Sequence, residues 1–331
     1  GGWQPFESGF VHEKKYGDCK ALTFYTKSLL EIAGVDSYYT LITAGPKPGK
    51  ILHPDFPAST FNHVILTVPI EGDTVWLECT SQTNPFGYLG HFTSDRDALM
   101  IINEGAKVIH TRSYQLEENV QSTKASITIA KDGSAQIELQ RDYSGLEIEN
   151  DGFDRACKKS SDEQAEWFID EHDWGSVKLN EITLTEPSRE AVPKGKLKVS
   201  LNSKNAASVN GNRFFYKPFV FTDISYIRLN ADERKRPLII KYPYMQIDTL
   251  EVSFPEGFMP EASLSDVLFD SDFGAYERII NKSDSENKYL LIRKFSLKAG
   301  EYQKEDYQEF REFVRSVQKH DRQRMVLLNK T

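Results

Sequence analysis

Cys19 follows Tyr16-Gly17-Asp18, and the apolar residues behind it recur at helical spacing. Asp18 has the side chain of an N-cap, so the thiol falls on the first turn of a helix. Unpaired N–H groups and the helix dipole there favour an anion and lower a thiol pKa from about 8.5 toward the range of catalytic thiolates. The plainer role for such a cysteine is that of a small buried hydrophobe. A nucleophilic thiol needs an imidazole to take its proton and a third group to hold that imidazole in one tautomer. His63 opens one β-branched run, His63–Val68, and Glu78 lies near the end of the next, Thr74–Cys79. Residues directly opposed in an antiparallel hairpin have numbers of constant sum. A two-residue loop at Glu71-Gly72 makes that sum 143, and His63 and Glu78 sum to 141. The two side chains therefore share a face, opposed or one diagonal step apart, within ~8 Å. A carboxylate is thus expected beside the ring.

The elements that must position these groups follow from pattern. Leu22, Tyr25, Leu29 and Ile32 mark an apolar stripe on a helix from Cys19 to Ala33, ended by Gly34 in the left-handed C′ position. Ser37–Ala44 reads as a strand, and a Gly/Pro-dense loop from Gly45 to Phe61 leads to the hairpin. Beyond about Glu117 the character changes. Ser126–Ala130 and Ser134–Gln140 flank Lys131-Asp132-Gly133, a type I′-compatible turn. Alternating patterns recur at 177–184, 196–201, 214–221, 249–254, 276–280 and 288–295, interrupted by one helical pattern over 153–172. Many short strands with Gly, Pro and Asn turns argue for antiparallel β-sandwich architecture. An amphipathic helix from about Lys304 to His320 closes the chain, with Tyr307, Phe310, Val314 and Val317 on one face.

The order Gly-Asp-Cys on a helix, then Asn62-His63 opening a strand, then an acid two residues before Thr80, resembles the bacterial transglutaminase-like superfamily of papain-type cysteine enzymes. YGDCKALTFYTKSLLEIAGV, FNHVILTV and WLECTS carry the resemblance, which covers roughly residues 1–90. The segment from KRPLIIKYPYMQIDTLEVSFPEGF to the last helix resembles an uncharacterised C-terminal domain that follows this core in secreted bacterial proteins. The resemblance implies Cys19 as nucleophile, His63 as general base and acid, and Glu78 in the position of the orienting acid. It also implies a periplasmic or extracellular location. An oxyanion hole needs the Cys19 backbone N–H and one further donor; related enzymes use an upstream Gln or Trp side chain, which points to Gln4. The family usually has Asp where Glu78 stands, and its core carries helices upstream of the cysteine. Trp3, Phe6 and Phe10 would be what remains of that upstream segment.

The remaining signals exclude more than they suggest. The chain has 331 residues and a net charge of −8, with 49 Asp and Glu against 41 Lys and Arg, which offers no basic footprint for nucleic acid. No apolar run is long enough to span a membrane, and no signal peptide is visible at the start. Three cysteines cannot build a disulfide framework. Cys79 points away from Glu78 and reads as core, as does Cys157 in the mid-chain helix. Glu171-His172-Asp173 and the acids at 266, 270 and 272 lack metal-ligand spacing, so neither metal nor cofactor is expected.

The expected fold is α+β: a partial transglutaminase-like (papain-like) core over 1–117, then antiparallel β-sandwich domains with a C-terminal helix. Residues 118–240 form a β-rich domain with one helical insertion, and residues 241–331 a β-rich domain ending in the amphipathic helix. The expected function is a cysteine-dependent amide-bond hydrolase acting on a peptide or protein substrate through an acyl-thioester on Cys19. The alternative is a catalytically silent scaffold whose β-sandwich serves recognition.

Overall fold

The computed structural model describes residues 4–45, 49–51, 60–170, 176–221, 224, 227, 229, 234–283 and 287–329. Trp3 and Glu171-His172-Asp173 lie outside these residues. The chain divides into two compact units, Gly1–Tyr114 with Ser188–Pro193, and Gln115–Pro187 with Lys194–Thr331.

The first unit opens with α1 (Ser8–Lys14) and α2 (Cys19–Ile32), followed by β1 (Tyr38–Ile42), β2 (His63–Ile70), β3 (Asp73–Leu77), β4 (Asp97–Ile102) and β5 (Gly105–His110). The strands form one antiparallel sheet in the order β3-β2-β1-β4-β5. Glu71 and Gly72 turn the β2–β3 hairpin with φ of 48° and 87°. Both are left-handed, as a two-residue hairpin turn with the sheet's own twist requires. The register is then Ile70↔Asp73 through Leu66↔Leu77, which is the expected pairing. Asp18 Oδ1 accepts the Ala21 N–H at 3.0 Å at the start of α2, and Gly34 ends the helix at φ 75°.

The buried face of α2 is not the expected stripe. Ala21 and Thr23 are fully buried, whereas Leu29 and Ile32 are 48% and 85% exposed. The helix meets the sheet through small side chains: the Thr23 hydroxyl donates to the Val64 carbonyl at 3.3 Å.

The second unit begins with β6 (Val120–Ile129) and β7 (Ala135–Ser144). A short α3 (Glu147–Asn150) comes first, and the expected mid-chain helix is two short ones, α4 (Phe153–Ala156) and α5 (Ser161–Asp170). Ser160 and Glu163 cap α5 reciprocally, which breaks the helix after Cys157. Then come β8 (Val177–Thr185), β9 (Lys194–Ser203), β10 (Ala207–Asn210), β11 (Arg213–Tyr216), β12 (Leu238–Ile240) and β13 (Tyr244–Ser253). The chain continues through β14 (Phe258–Ala262), β15 (Val267–Ser271), β16 (Gly274–Lys282), β17 (Lys288–Leu297), β18 (Gly300–Tyr302), α6 (Tyr307–Asp321) and β19 (Met325–Asn329).

Eight of these strands form one sheet in the order β15-β16-β17-β13-β6-β7-β9-β8, antiparallel except where β13 runs parallel to β6. The segments expected as separate domains on either side of residue 240 therefore share a sheet. A four-stranded sheet, β10-β11-β19-β14, contributes Phe214, Tyr216, Phe258 and Leu327 to the same core as Ile127, Leu139, Val199 and Leu250. The architecture is β-rich, with mainly antiparallel sheets and a C-terminal helix.

That helix, α6, lays Tyr307, Phe310, Phe313, Val314 and Val317 into a second core with Tyr276 and Phe295. Arg293, fully buried, is held by Asp321 at the end of α6 at 2.8 and 2.9 Å and by Asp248 at 3.3 Å. Tyr276 donates to the same Asp321 carboxylate at 2.9 Å. Phe310 is 4% exposed, so Phe310→Ala is expected to cost about 3–5 kcal/mol. Chemical denaturation of the two proteins measures it, and coincident unfolding curves would contradict the docking of α6.

Candidate active site

Cys19 is the first residue of α2, half-buried, directly after the Asp18 cap. Burial pushes the Asp18 carboxyl up. The ammonium of Lys20 at 2.7 Å and the Ala21 N–H more than offset this and leave it below the ordinary range. The phenol of Tyr39, half-buried on β1, is pushed up to about 12, mainly by burial and further by the negative charge that Cys19 and Asp18 bring near it. The place of Tyr39 in an aromatic, β-branched run reads only as strand.

His63 and Glu78 meet as the hairpin register requires. The ring Nε2 lies 3.0 and 2.9 Å from the two carboxylate oxygens, and both side chains are 7% exposed. A carboxylate only accepts, so the proton sits on Nε2 and Nδ1 is left as the ring's acceptor in the neutral form. Thr80 adds a backbone N–H at 3.2 Å and its hydroxyl to Glu78 Oε1. Burial pushes the Glu78 carboxyl up; the His63 ring and the Thr80 donors outweigh it and hold the carboxyl below the usual glutamate range.

Two clamps absent from the sequence reading fix the position of His63. Asn62 bonds both backbone groups of Ala44, accepting from its N–H at 2.7 Å and donating to its carbonyl at 3.1 Å. The buried Arg96 guanidinium donates to the carbonyls of Thr43, Gly45 and His91. Phe92 beside that last carbonyl turns its ring toward His63 at 5.1 Å, edge to face.

Among the described residues the Cys19 thiol makes no hydrogen bond to the His63 ring. The Cys79 thiol bonds the Leu77 carbonyl at 3.7 Å and lies against the hydroxyls of Thr26 and Thr23 on α2. By strand alternation Val64 and Cys79 project from one face of the sheet, His63 and Glu78 from the other. His63 is the first residue of β2, however, and Glu78 follows the last residue of β3, so both stand at the sheet's end. Gln4 is exposed and makes no hydrogen bond among the described residues. Among those residues no group of three or more His, Cys, Asp and Glu side chains is placed to hold a metal ion, and no helix is long and apolar enough to cross a membrane.

Residues 212–327 match a family described as a domain of unknown function with solved structure, DUF3858. No curated protein sequence matches the chain. The crystal structure of a "putative protease" from Parabacteroides distasonis superposes with a TM-score of 0.52 at 13% identity, over 98% of this chain and 46% of that one. At that identity the likeness is one of fold. The chain spans less than half the length of that neighbour.

The depressed Glu78 carboxyl has a consequence for stability. A carboxylate held below its unfolded value, about 4.3 for glutamate, contributes stability above that value and loses it as pH falls through the folded one. Urea midpoints measured between pH 3 and pH 7 are expected to fall less steeply toward acid in Glu78→Gln than in the parent. Parallel pH profiles would mean that the His63–Glu78 contact carries no linkage.

Proposed function

We propose that Cys19, His63 and Glu78 act as nucleophile, general base and orienting acid of a transglutaminase-like cysteine hydrolase that cleaves amide bonds in peptide substrates. The observation that carries the reading is the Nε2–carboxylate contact of His63 with Glu78. It turns the ring's free nitrogen into an acceptor, the state needed to receive a thiol proton. The helix-terminal position of Cys19 supports it, and so does the fold shared with a protein described as a protease.

The ring takes the thiol proton, and the sulfur bonds to the carbonyl carbon. The C–N bond breaks as the imidazolium returns its proton to the leaving amine. Water, deprotonated by the ring, releases the acid and regenerates the thiol. The Cys19 backbone N–H faces the oxyanion, with Gln4 as the second donor.

A second reading rests on the missing thiol–ring bond and on α2 covering the opposite sheet face. In that reading His63–Glu78 is a structural pair and the unit is a binding scaffold. Thiol alkylation separates the two. Burial pushes Cys157 up to about 12 and also raises Cys79, so neither competes near neutral pH. Cys19 is expected to alkylate at least tenfold faster than either, as read by peptide mass spectrometry. His63→Ala and Glu78→Gln should each slow it near pH 6, while Glu78→Asp retains part of the rate. Rates unchanged in both His63→Ala and Glu78→Gln would leave the scaffold reading standing.

A further inference from the structure

His110, at the end of β5, stands between two carboxylates. Its Nδ1 lies 2.9 Å from Asp97 Oδ1 and its Nε2 3.0 Å from Asp95 Oδ1. A neutral imidazole carries one N–H, and the other nitrogen would face a carboxylate lone pair against lone pair. Both contacts exist together only in the imidazolium. Burial alone would disfavour that charged ring; the bonds and charges of Asp95 and Asp97 outweigh it and raise the pKa above the ordinary histidine value. Ser113 also donates to Asp95, and Lys50 adds a positive charge near Asp97.

The two acids sit on a turn that needs holding. Asp95 has φ 53°, a left-handed conformation uncommon for a residue with a side chain. Asp97 Oδ2 accepts the Ile51 N–H at 2.9 Å, and the Asp97 N–H donates to the Gly49 carbonyl. Between them stands Arg96, the side chain that gathers the carbonyls of Thr43, Gly45 and His91. Gly45 N–H in turn donates to the Phe92 carbonyl at 2.9 Å, and Phe92 packs on His63.

We propose that Asp95, His110 and Asp97 form a proton-operated latch. With His110 doubly protonated, the latch locks the 95–97 turn and, through Arg96, the loop that seats Phe92 against His63. Its importance for catalysis rests on the function proposed above; the latch itself does not. The sign follows from linkage. The imidazolium's contribution is full below the unfolded histidine value, about 6.5, and is lost as pH rises through the higher folded one. The Asp97 arm, depressed by the same ring, is lost only in acid. The latch is closed between the two.

The test is a pH titration of the full chain, with carbon-13 in the histidine rings and nitrogen-15 in the backbone. The His110 ring, assigned by its disappearance in His110→Gln, is expected to titrate above the ordinary histidine value of about 6.5, and lower in Asp95→Asn and Asp97→Asn. The Ile51 and Gly45 amides should shift with the same midpoint and stay flat through that range in His110→Gln. Exchange of the Ile51 amide hydrogen, corrected for intrinsic base catalysis, should rise at least fivefold above the midpoint. A His110 midpoint at or below 6.5, or an Ile51 amide that ignores it, would overturn the latch. A Gly45 amide that ignores the midpoint while Ile51 follows it would overturn the link to the His63 loop. None of these readouts uses thiol chemistry, so an unreactive Cys19 would sink the hydrolase reading and leave the latch intact.

Discussion

The turn at Glu71-Gly72 is the constraint on which the candidate site depends. Two left-handed residues there commit β2 and β3 to one register. In a sheet a slip of one residue transfers every side chain to the other face. A single inserted residue would move Glu78 away from His63 and carry Trp76 out of the core it shares with Ile42 and Ile65. Packing and chemistry thus require the same register, and the apolar side chains hold it with more area than the polar pair alone provides. Asn62 and Arg96 then immobilise the backbone on the flank of β2 that the turn cannot reach.

The second unit solves a different problem, burying charge without exposing it. Arg293 and Arg141 are fully buried, a placement that is strongly unfavourable unless paired and hydrogen-bonded. Arg293 has Asp321 and Asp248; Arg141 has the Thr123 hydroxyl at 3.0 Å, the Phe221 carbonyl at 2.6 Å and the Asp151 carboxylate, which also accepts from Tyr143. Each arginine joins elements far apart in the chain. A slide of α6 by one turn would strand Arg293 without its main partner, so the pair fixes the helix's position while the apolar stripe supplies the attraction.

Much of this was legible because the informative rules are local. Asp18 as cap, Gly34 as terminator and the Glu71-Gly72 turn each act within a few residues, and the α6 stripe is a periodicity within one element. What escaped was set by tertiary contact. Leu29 and Ile32 looked like the core face of α2, yet the sheet accepts the helix through Ala21 and Thr23, because small side chains allow closer approach. The break between α4 and α5 had a visible signal, Ser160 followed three residues later by Glu163, which the apolar periodicity overrode. Arg96 and Asn62 act on carbonyls and amides up to 53 residues away, and no local pattern marks such partners. Of the candidate triad, the His63–Glu78 half could be derived from hairpin arithmetic. Where Cys19 lies relative to that pair depends on how a helix crosses a sheet, which no spacing encodes.

The parallel ladder of β6 and β13 bears on how the molecule is made. Val120 pairs beside Met245, about 125 residues later in the chain. Until that late segment has left the ribosome, β6 has its hairpin partner β7 on one side and an open row of amides and carbonyls on the other. Such an edge is a template for any extended strand that reaches it, and long-range parallel pairing is intrinsically slow to form. The alternation that later seals the core, Ala125, Ile127 and Ile129, lies along this strand. Until β13 is available, the half-sheet built from β6 and β7 therefore has one edge of β6 without its ladder partner.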